Sequence, residues 1–310
     1  MNKSVVITES QLKTLVGDVV TSKALNECTV AGVRLDDGIV LAKNRDRGYE
    51  AEMEIVHEIV NDVEVLYWHD VDTDWSEGMN EFGIGIVNSS LMVGDDEKEG
   101  DKVKQSRKDK KREDKKKNPK HASDGAKIRQ ALTQKNLIDC VKVLVTTKGD
   151  GTAKVKGVTG QSIVSDGKEI YIIEHSSVDV PIVKKLKDDR KVVVRTNHGI
   201  YHKDLGYQSG FKKDSSHSRM ELAKENLKNA ESDQDVIDIL KKKYKKDPFL
   251  NPYRTTNKHH MQTVGQIMMN CDKLEVTIRL DKKYGELTGI EKLFPKGYEP
   301  KIKLKIEKSS

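Results

Sequence analysis

Long apolar runs are missing from this sequence. No stretch approaches the ~18–20 residues that a membrane-spanning helix needs, which argues against a membrane partner. The first residues lack the basic start and apolar centre of a secretory signal, so a cytoplasmic location is expected. Cysteine is scarce: Cys28, Cys140 and Cys271 are the three in 310 residues, odd in number and far apart, with no CxxC pair. That spacing argues against a disulfide framework and a structural zinc site and fits a reducing compartment. No metal or other cofactor is expected. Apolar residues are also sparse, at 35% against 34% charged, so part of the charge must lie outside any core. The net charge of +6 is modest and concentrated rather than spread.

Much of that charge falls in 95–121, where Lys and Arg are interleaved with Asp and Glu and no Phe, Tyr or Trp occurs. Such a segment buries too little apolar area to offset its ordering entropy. It reads as a solvated insertion or, alternatively, as a weak nucleic-acid or polyanion contact working by counterion release. The lysine-rich stretch 284–310 reads as a tail that frays. Ahead of Cys28, residues 10–20 show a short amphipathic helical pattern, and 1–27 is either a first helix or a removable propeptide.

Between these segments strands and helices come in blocks. Strands are expected at 54–60, 63–68, 83–88, 161–165, 169–174, 191–195, 263–269 and 274–280, with Gly78 to Glu81 as a turn. Helices are expected at 125–146, 216–230 and around 236–240, the serines near 216 acting as caps. Cys140 falls inside a helical apolar pattern and Cys271 beside a turn, and both read as structural. Antiparallel hairpins with helices grouped between them predict a layered α+β domain rather than βαβ repeats.

The stretch CTVAGVRLDDGIVLAKNRD, residues 28–46, organises the rest. Asp37-Gly38 suits a two-residue hairpin loop, because Gly tolerates positive φ. With that loop Asp36 faces Ile39, Leu35 faces Val40 and Thr29 faces Asp46, which brings the Asp46 carboxylate to the side of the Cys28 thiol. Taken alone, this is equally a hairpin carrying a buried cysteine.

Five pieces in order resemble the N-terminal-nucleophile (Ntn) hydrolases, most closely the branch of choloylglycine hydrolases, penicillin V acylases and acyl-coenzyme A:isopenicillin N acyltransferases. They are Cys28-Thr29, Asn44-Arg45-Asp46, the Gly-x-Asn-Glu-x-Gly block from Gly78 to Gly83, Thr196-Asn197-His198, and Ser218-Arg219. The resemblance implies a four-layer αββα sandwich of two antiparallel sheets over 28–283. It implies that Cys28 is the nucleophile and that its own α-amine is the general base, a group whose unperturbed pKa of about 7.7–8.0 suits neutral pH. A cysteine at this position becomes N-terminal only if the Glu27–Cys28 bond is cut, so 1–27 reads as an autocatalytically removed propeptide.

By the same resemblance Asp46 orients the amine and thiol, Asn197 donates to the oxyanion, Asn88 contributes a backbone N–H, and Arg219 holds the carboxylate network or the substrate. Asn88 and Asn197 are equally readable as strand-end caps, and Arg219 as a surface residue. Lys43 and Arg45 are the substrate-binding candidates. Lys43 stands where bile-salt hydrolases carry Arg, and it lacks the planar fork that binds a carboxylate bidentately. His198 reads as structural. The expected activity is hydrolysis or acyl transfer on a small linear amide, with homo-oligomerisation open. The competing reading is an Ntn-like fold without turnover, self-maturing or acting as a polyanion-binding or assembly protein.

Overall fold

Alternation decides the central layers. Val30, Ile39 and Leu41 pack into one apolar cluster, while Ala31, Val33, Val40 and Ala42 pack into another on the opposite face. Successive strand residues point to opposite faces, so a hairpin apolar on both must be covered on both. The computed structural model describes residues 26–48, 51–91, 124–146, 158–175, 180–203, 205–255, 261–281 and 285–308. The expected helix at 10–20, the rest of the segment before Asn26 and the charged insertion at 95–121 lie outside them.

The chain runs β1 (Asn26–Leu35), β2 (Gly38–Arg47), β3 (Ala51–Val60), β4 (Val63–Asp70), β5 (Ser76–Asn80), β6 (Gly85–Ser89), α1 (Asp124–Leu132) and α2 (Leu137–Val145). Then come β7 (Gly160–Ser165), β8 (Ile170–His175), β9 (Ile182–Lys185), β10 (Val192–Arg195), α3 (Gly210–Leu227) and α4 (Asp233–Lys241). A 3-10 turn (Pro248–Leu250) leads to β11 (Gln262–Asn270), β12 (Glu275–Leu280), β13 (Gly285–Leu293) and β14 (Lys303–Lys308). One sheet has the order β10-β1-β2-β11-β12-β14 and the other β13-β3-β4-β5-β6-β7-β8-β9. Their ladders are antiparallel except β12–β14 and β13–β3.

Three apolar clusters define four layers. Val30, Leu41 and Ile267 of the first sheet meet Ile55, Trp68, Met79 and Ile163 of the second. The outer face of the first sheet packs on Ala223 and Leu227 of α3 and Ile237 and Leu240 of α4. The outer face of the second packs on Ile128 and Leu132 of α1 and Cys140 and Leu144 of α2. The order is helices, sheet, sheet, helices. Each aliphatic side chain fully buried in these clusters stabilises the fold by about 1.5–3 kcal/mol relative to exposure.

Four details differ from the sequence expectation. The hairpin loop is Asp36-Asp37, with Leu35 opposite Gly38, so every pair is shifted and Asp46 faces Glu27 instead of Thr29. Neither aspartate needs positive φ; Gly38 takes it, at 132°, at the start of β2. There the Asp272 carboxylate accepts the Ile39 N–H at 2.9 Å and fixes the shifted register. Next, Gly78 lies inside β5, and the turn comes after it. Asn80 makes that turn, with Oδ1 accepting from Phe82 and Ile84 N–H while Nδ2 donates to the Leu132 and Gln134 carbonyls beyond α1. Ser215, Ser216 and Ser218 are not caps, since α3 begins earlier, at Gly210. Finally, the 284–310 stretch does not fray: β13 and β14 each add a parallel strand to one sheet edge, with Lys303 and Lys305 exposed on β14. Charged lysines on an edge strand discourage pairing with another chain.

Gly83 is the tightest point of the β5–β6 turn. It has φ +73°, and a Cβ there would lie 2.3 Å from the Cys271 carbonyl oxygen. Gly83→Ala is therefore expected to destabilise the protein by at least about 2 kcal/mol, measured as a shift in urea unfolding. An unchanged midpoint would contradict the turn geometry.

Candidate active site

β2 ends in Lys43-Asn44-Arg45-Asp46-Arg47, a fully polar run that continues an apolar strand. Alternation sends Lys43, Arg45 and Arg47 into the space between the sheets, and Asn44 and Asp46 toward the helices. Cys28 is the direct partner of Arg45, so its sulfur also lies between the sheets. The site thus has two faces that meet at the Cys28 backbone.

Between the sheets, three cations meet two carboxylates. Arg45 grips Glu77 through Nε at 3.0 Å and Nη2 at 2.5 Å, and its guanidinium lies over the Trp68 ring at 4.7 Å. Lys43 reaches Glu77 at 2.5 Å and donates to Asn88 Oδ1 at 3.3 Å. Arg47 donates to Asp70 at 2.6 Å, and its Nη1 stands 3.9 Å from the Cys28 sulfur. These five side chains are buried and leave one positive charge in excess beside that sulfur. Burial drives the Lys43 ammonium below its ordinary pKa, against the opposing pull of Cys28 and Glu77. Burial opposes the Glu77 charge, but Arg45 and Lys43 outweigh it and hold the carboxyl below its ordinary value. Arg47 and Arg45 likewise lower Asp70 against its desolvation.

On the helix-facing side, α3 provides one stripe at four-residue spacing: Ser215, Arg219, Ala223 and Leu227. Its first half is polar because it covers the site, and its second half covers the apolar core. Arg219 Nη1 donates to the Cys28 carbonyl at 2.9 Å and to Thr29 Oγ1 at 3.1 Å. Its Nη2 donates to Glu27 Oε2 at 3.0 Å and Asn197 Oδ1 at 2.9 Å. The Cys28 N–H also donates to Asn197 Oδ1, at 3.2 Å. Two donors aimed at one atom require it to be the oxygen, which turns Asn197 Nδ2 toward the Ser90 carbonyl, 2.9 Å away. Arg254, in the loop before β11, donates to Glu27 Oε2 at 2.6 Å, and the Tyr207 hydroxyl donates to Oε1 at 2.8 Å. Desolvation raises the Glu27 carboxyl, but Arg254, Arg219 and Tyr207 together hold it below its ordinary value.

Asn197 and Arg219 are therefore gathered onto Cys28, as the sequence suggested. Asp46 is not. Its carboxylate lies on the helix side and the sulfur lies between the sheets, since neighbouring strand positions face opposite ways. Asp46 accepts from Thr263 at 2.6 Å, and Oδ2 lies 3.5 Å from Arg254 and 3.8 Å from Arg219 without a hydrogen bond. Burial raises its pKa. Asn88 stands opposite Ser162 on β6 of the second sheet, and its side chain bonds to Lys43 and the Ser76 carbonyl. Lys43 and Arg45, the substrate-binding candidates, are instead both turned onto the Glu77 carboxylate. His198 stacks on His217 at 3.7 Å and meets Ser216 at 2.8 Å. Burial pushes it down to about 3, with His217 and Arg219 adding to the shift.

Glu77, Asp70, Arg47, Tyr207 and Arg254 were not singled out from the sequence. Cations at 43, 45 and 47 were a usable signal, because three on one strand face demand buried acids. Nothing local marks which acids answer them.

The chain matches no protein-family model and no curated protein. Among solved structures it is similar to penicillin V acylase from Agrobacterium tumefaciens, at 11% identity and a TM-score of 0.41, over 85% of this chain and 94% of that one. A likeness at that level decides neither family nor activity. No helix among the described residues is long and apolar enough to cross a membrane.

Several buried groups tie stability to pH. Burial holds His57, His175 and His198 below their ordinary value of 6.5, and for Glu27 and Glu77 the paired cations outweigh burial and hold the carboxyls below 4.5. For all of them the unfolded chain binds protons first as pH falls, so their stabilisation is complete above the ordinary value and lost toward the folded one. Asp46, raised, works the other way but is outnumbered. The urea midpoint is expected to fall from pH 6.5 downward and more steeply below 4.5. A midpoint constant from pH 7 to 4 would contradict this charge arrangement.

Proposed function

We propose that the chain is the precursor of an Ntn-type cysteine amidohydrolase or acyltransferase, matured by cleavage of the Glu27–Cys28 bond. One observation carries the reading. Both backbone polar groups and the sulfur of Cys28 each have a buried polar neighbour: Asn197 at the N–H, Arg219 at the carbonyl and Arg47 at the sulfur. A cysteine that served only as core filling would not call for three buried polar side chains around it.

The chemistry runs in two rounds. In the first, the sulfur bonds to the Glu27 carbonyl carbon, the C–N bond to Cys28 breaks, and the thiol proton goes to the leaving nitrogen. Water then splits the thioester, releasing the Glu27 carboxylate and restoring the thiol. In the second, the freed α-amine takes the thiol proton, the sulfur attacks a substrate amide carbonyl, and the C–N bond breaks as the α-ammonium passes that proton to the leaving amine; water or an acceptor amine then resolves the acyl-enzyme. Asn197 receives the amine at Oδ1, and the substrate oxyanion takes the place of Ser90 at Nδ2. Arg219 holds the Cys28 carbonyl throughout. Asp46 is a positioning residue acting through Arg219 and Arg254, and Asn88 acts through Lys43. Cys28 is only 3% exposed in the uncut chain.

Hydroxylamine attacks thioesters and tests the first round directly. Cleavage at Glu27–Cys28 is expected to accelerate with hydroxylamine and to vanish in Cys28→Ala, while amide turnover by the matured protein is expected to fall ~10²–10³-fold in Asn197→Ala. Cleavage persisting in Cys28→Ala would overturn the mechanism.

A further inference from the structure

In the uncut chain the Glu27 side chain fills a socket built for one carboxylate. Oε2 faces Arg254 and Arg219, Oε1 faces Tyr207, and none of these side chains is more than 4% exposed. The socket is anchored independently of its occupant. Arg254 also donates to Ser215 Oγ at 2.9 Å and packs over the Phe249 ring at 3.9 Å, while Arg219 is held by Cys28, Thr29 and Asn197. While Glu27 is in place, two carboxylates, Glu27 and Asp46, balance two guanidinium groups. Departure of 1–27 removes one carboxylate and adds an amine at Cys28. Two buried guanidinium groups then share Asp46 alone, and an uncompensated buried cation is strongly unfavourable. The emptied socket therefore favours an anion. Arg254 Nη2, Arg219 Nη2 and the Tyr207 hydroxyl, which hold Glu27 in the uncut chain, are the donors that remain for it.

Resting on the cleavage proposed above, we infer that this socket is the acyl-side subsite of the mature enzyme. It recognises amides whose acyl group ends in a carboxylate, namely glutaryl or α-glutamyl amides. Glu27 is itself the acyl group of the first reaction. Its carbonyl carbon is the one attacked and its carboxylate lies at the far end of a five-carbon chain, so a substrate acyl group that repeats this spacing occupies both places at once.

The test is calorimetric titration of the purified, cleaved protein with glutaramate, the free amide of that acyl group, and with pentanamide, its uncharged counterpart. Glutaramate is expected to bind at least ~100-fold more tightly, because a site built around a polar group rejects the analogue lacking it. Equal affinities, tighter pentanamide binding or binding of neither would overturn the subsite and leave the amidase reading standing. A chain that stays uncut overturns both, because the socket then never empties.

Discussion

The Arg219 guanidinium is the point on which this structure turns. Its two terminal nitrogens bind the Cys28 carbonyl, the Thr29 hydroxyl, the Glu27 carboxylate and the Asn197 amide oxygen at the same time. Only a rigid planar fork can serve so many acceptors from one direction; a lysine would offer a single point charge. Because the group is fully buried, each acceptor must stay in place or leave a cation unsatisfied. That requirement fixes the first residues of β1 against α3 and the loop from β10, three parts of the chain distant in sequence.

The β1–β2 hairpin carries a second constraint. It separates two charged clusters by the thickness of a single sheet, cations around Glu77 and Asp70 on one face and acids around Arg219 and Arg254 on the other. Buried ion pairs of this kind add little net stability over well-packed apolar residues. Their cost is more readily understood as serving Cys28, which touches both clusters. Its sulfur lies beside Arg47, and its backbone is held by Asn197 and Arg219.

Much of this was legible in the sequence, for identifiable reasons. Runs such as 30–42 and 263–280 alternate or bury on both faces, and a period of two leaves little freedom in how strands sit. The blocks of hairpins and helices indicate a layered α+β domain, and the four-layer order is what the resemblance implies. Asn197 and Arg219 stand out in the sequence because they come in a recognisable order with Cys28. Asp46 faces away from the Cys28 sulfur in either register, because neighbouring strand positions point to opposite faces; the register itself shifts because Asp272, more than two hundred residues away, favours Gly38 as the first residue of the strand. The edge strands β13 and β14 were missed for a related reason. Lysine-rich composition signals solvent exposure, and an edge strand is exposed and yet ordered by its backbone pairing. Arg254 and Tyr207 had no local signal, since what singles them out is the carboxylate they converge on.

The account depends on the fate of a single peptide bond, and the intact mass of the purified protein reads it directly. A mature chain beginning at Cys28, with the full-length chain accumulating when Cys28 is replaced by Ala, is the predicted result. A stable full-length chain whose Cys28 thiol remains inert to alkylation after prolonged incubation would contradict it.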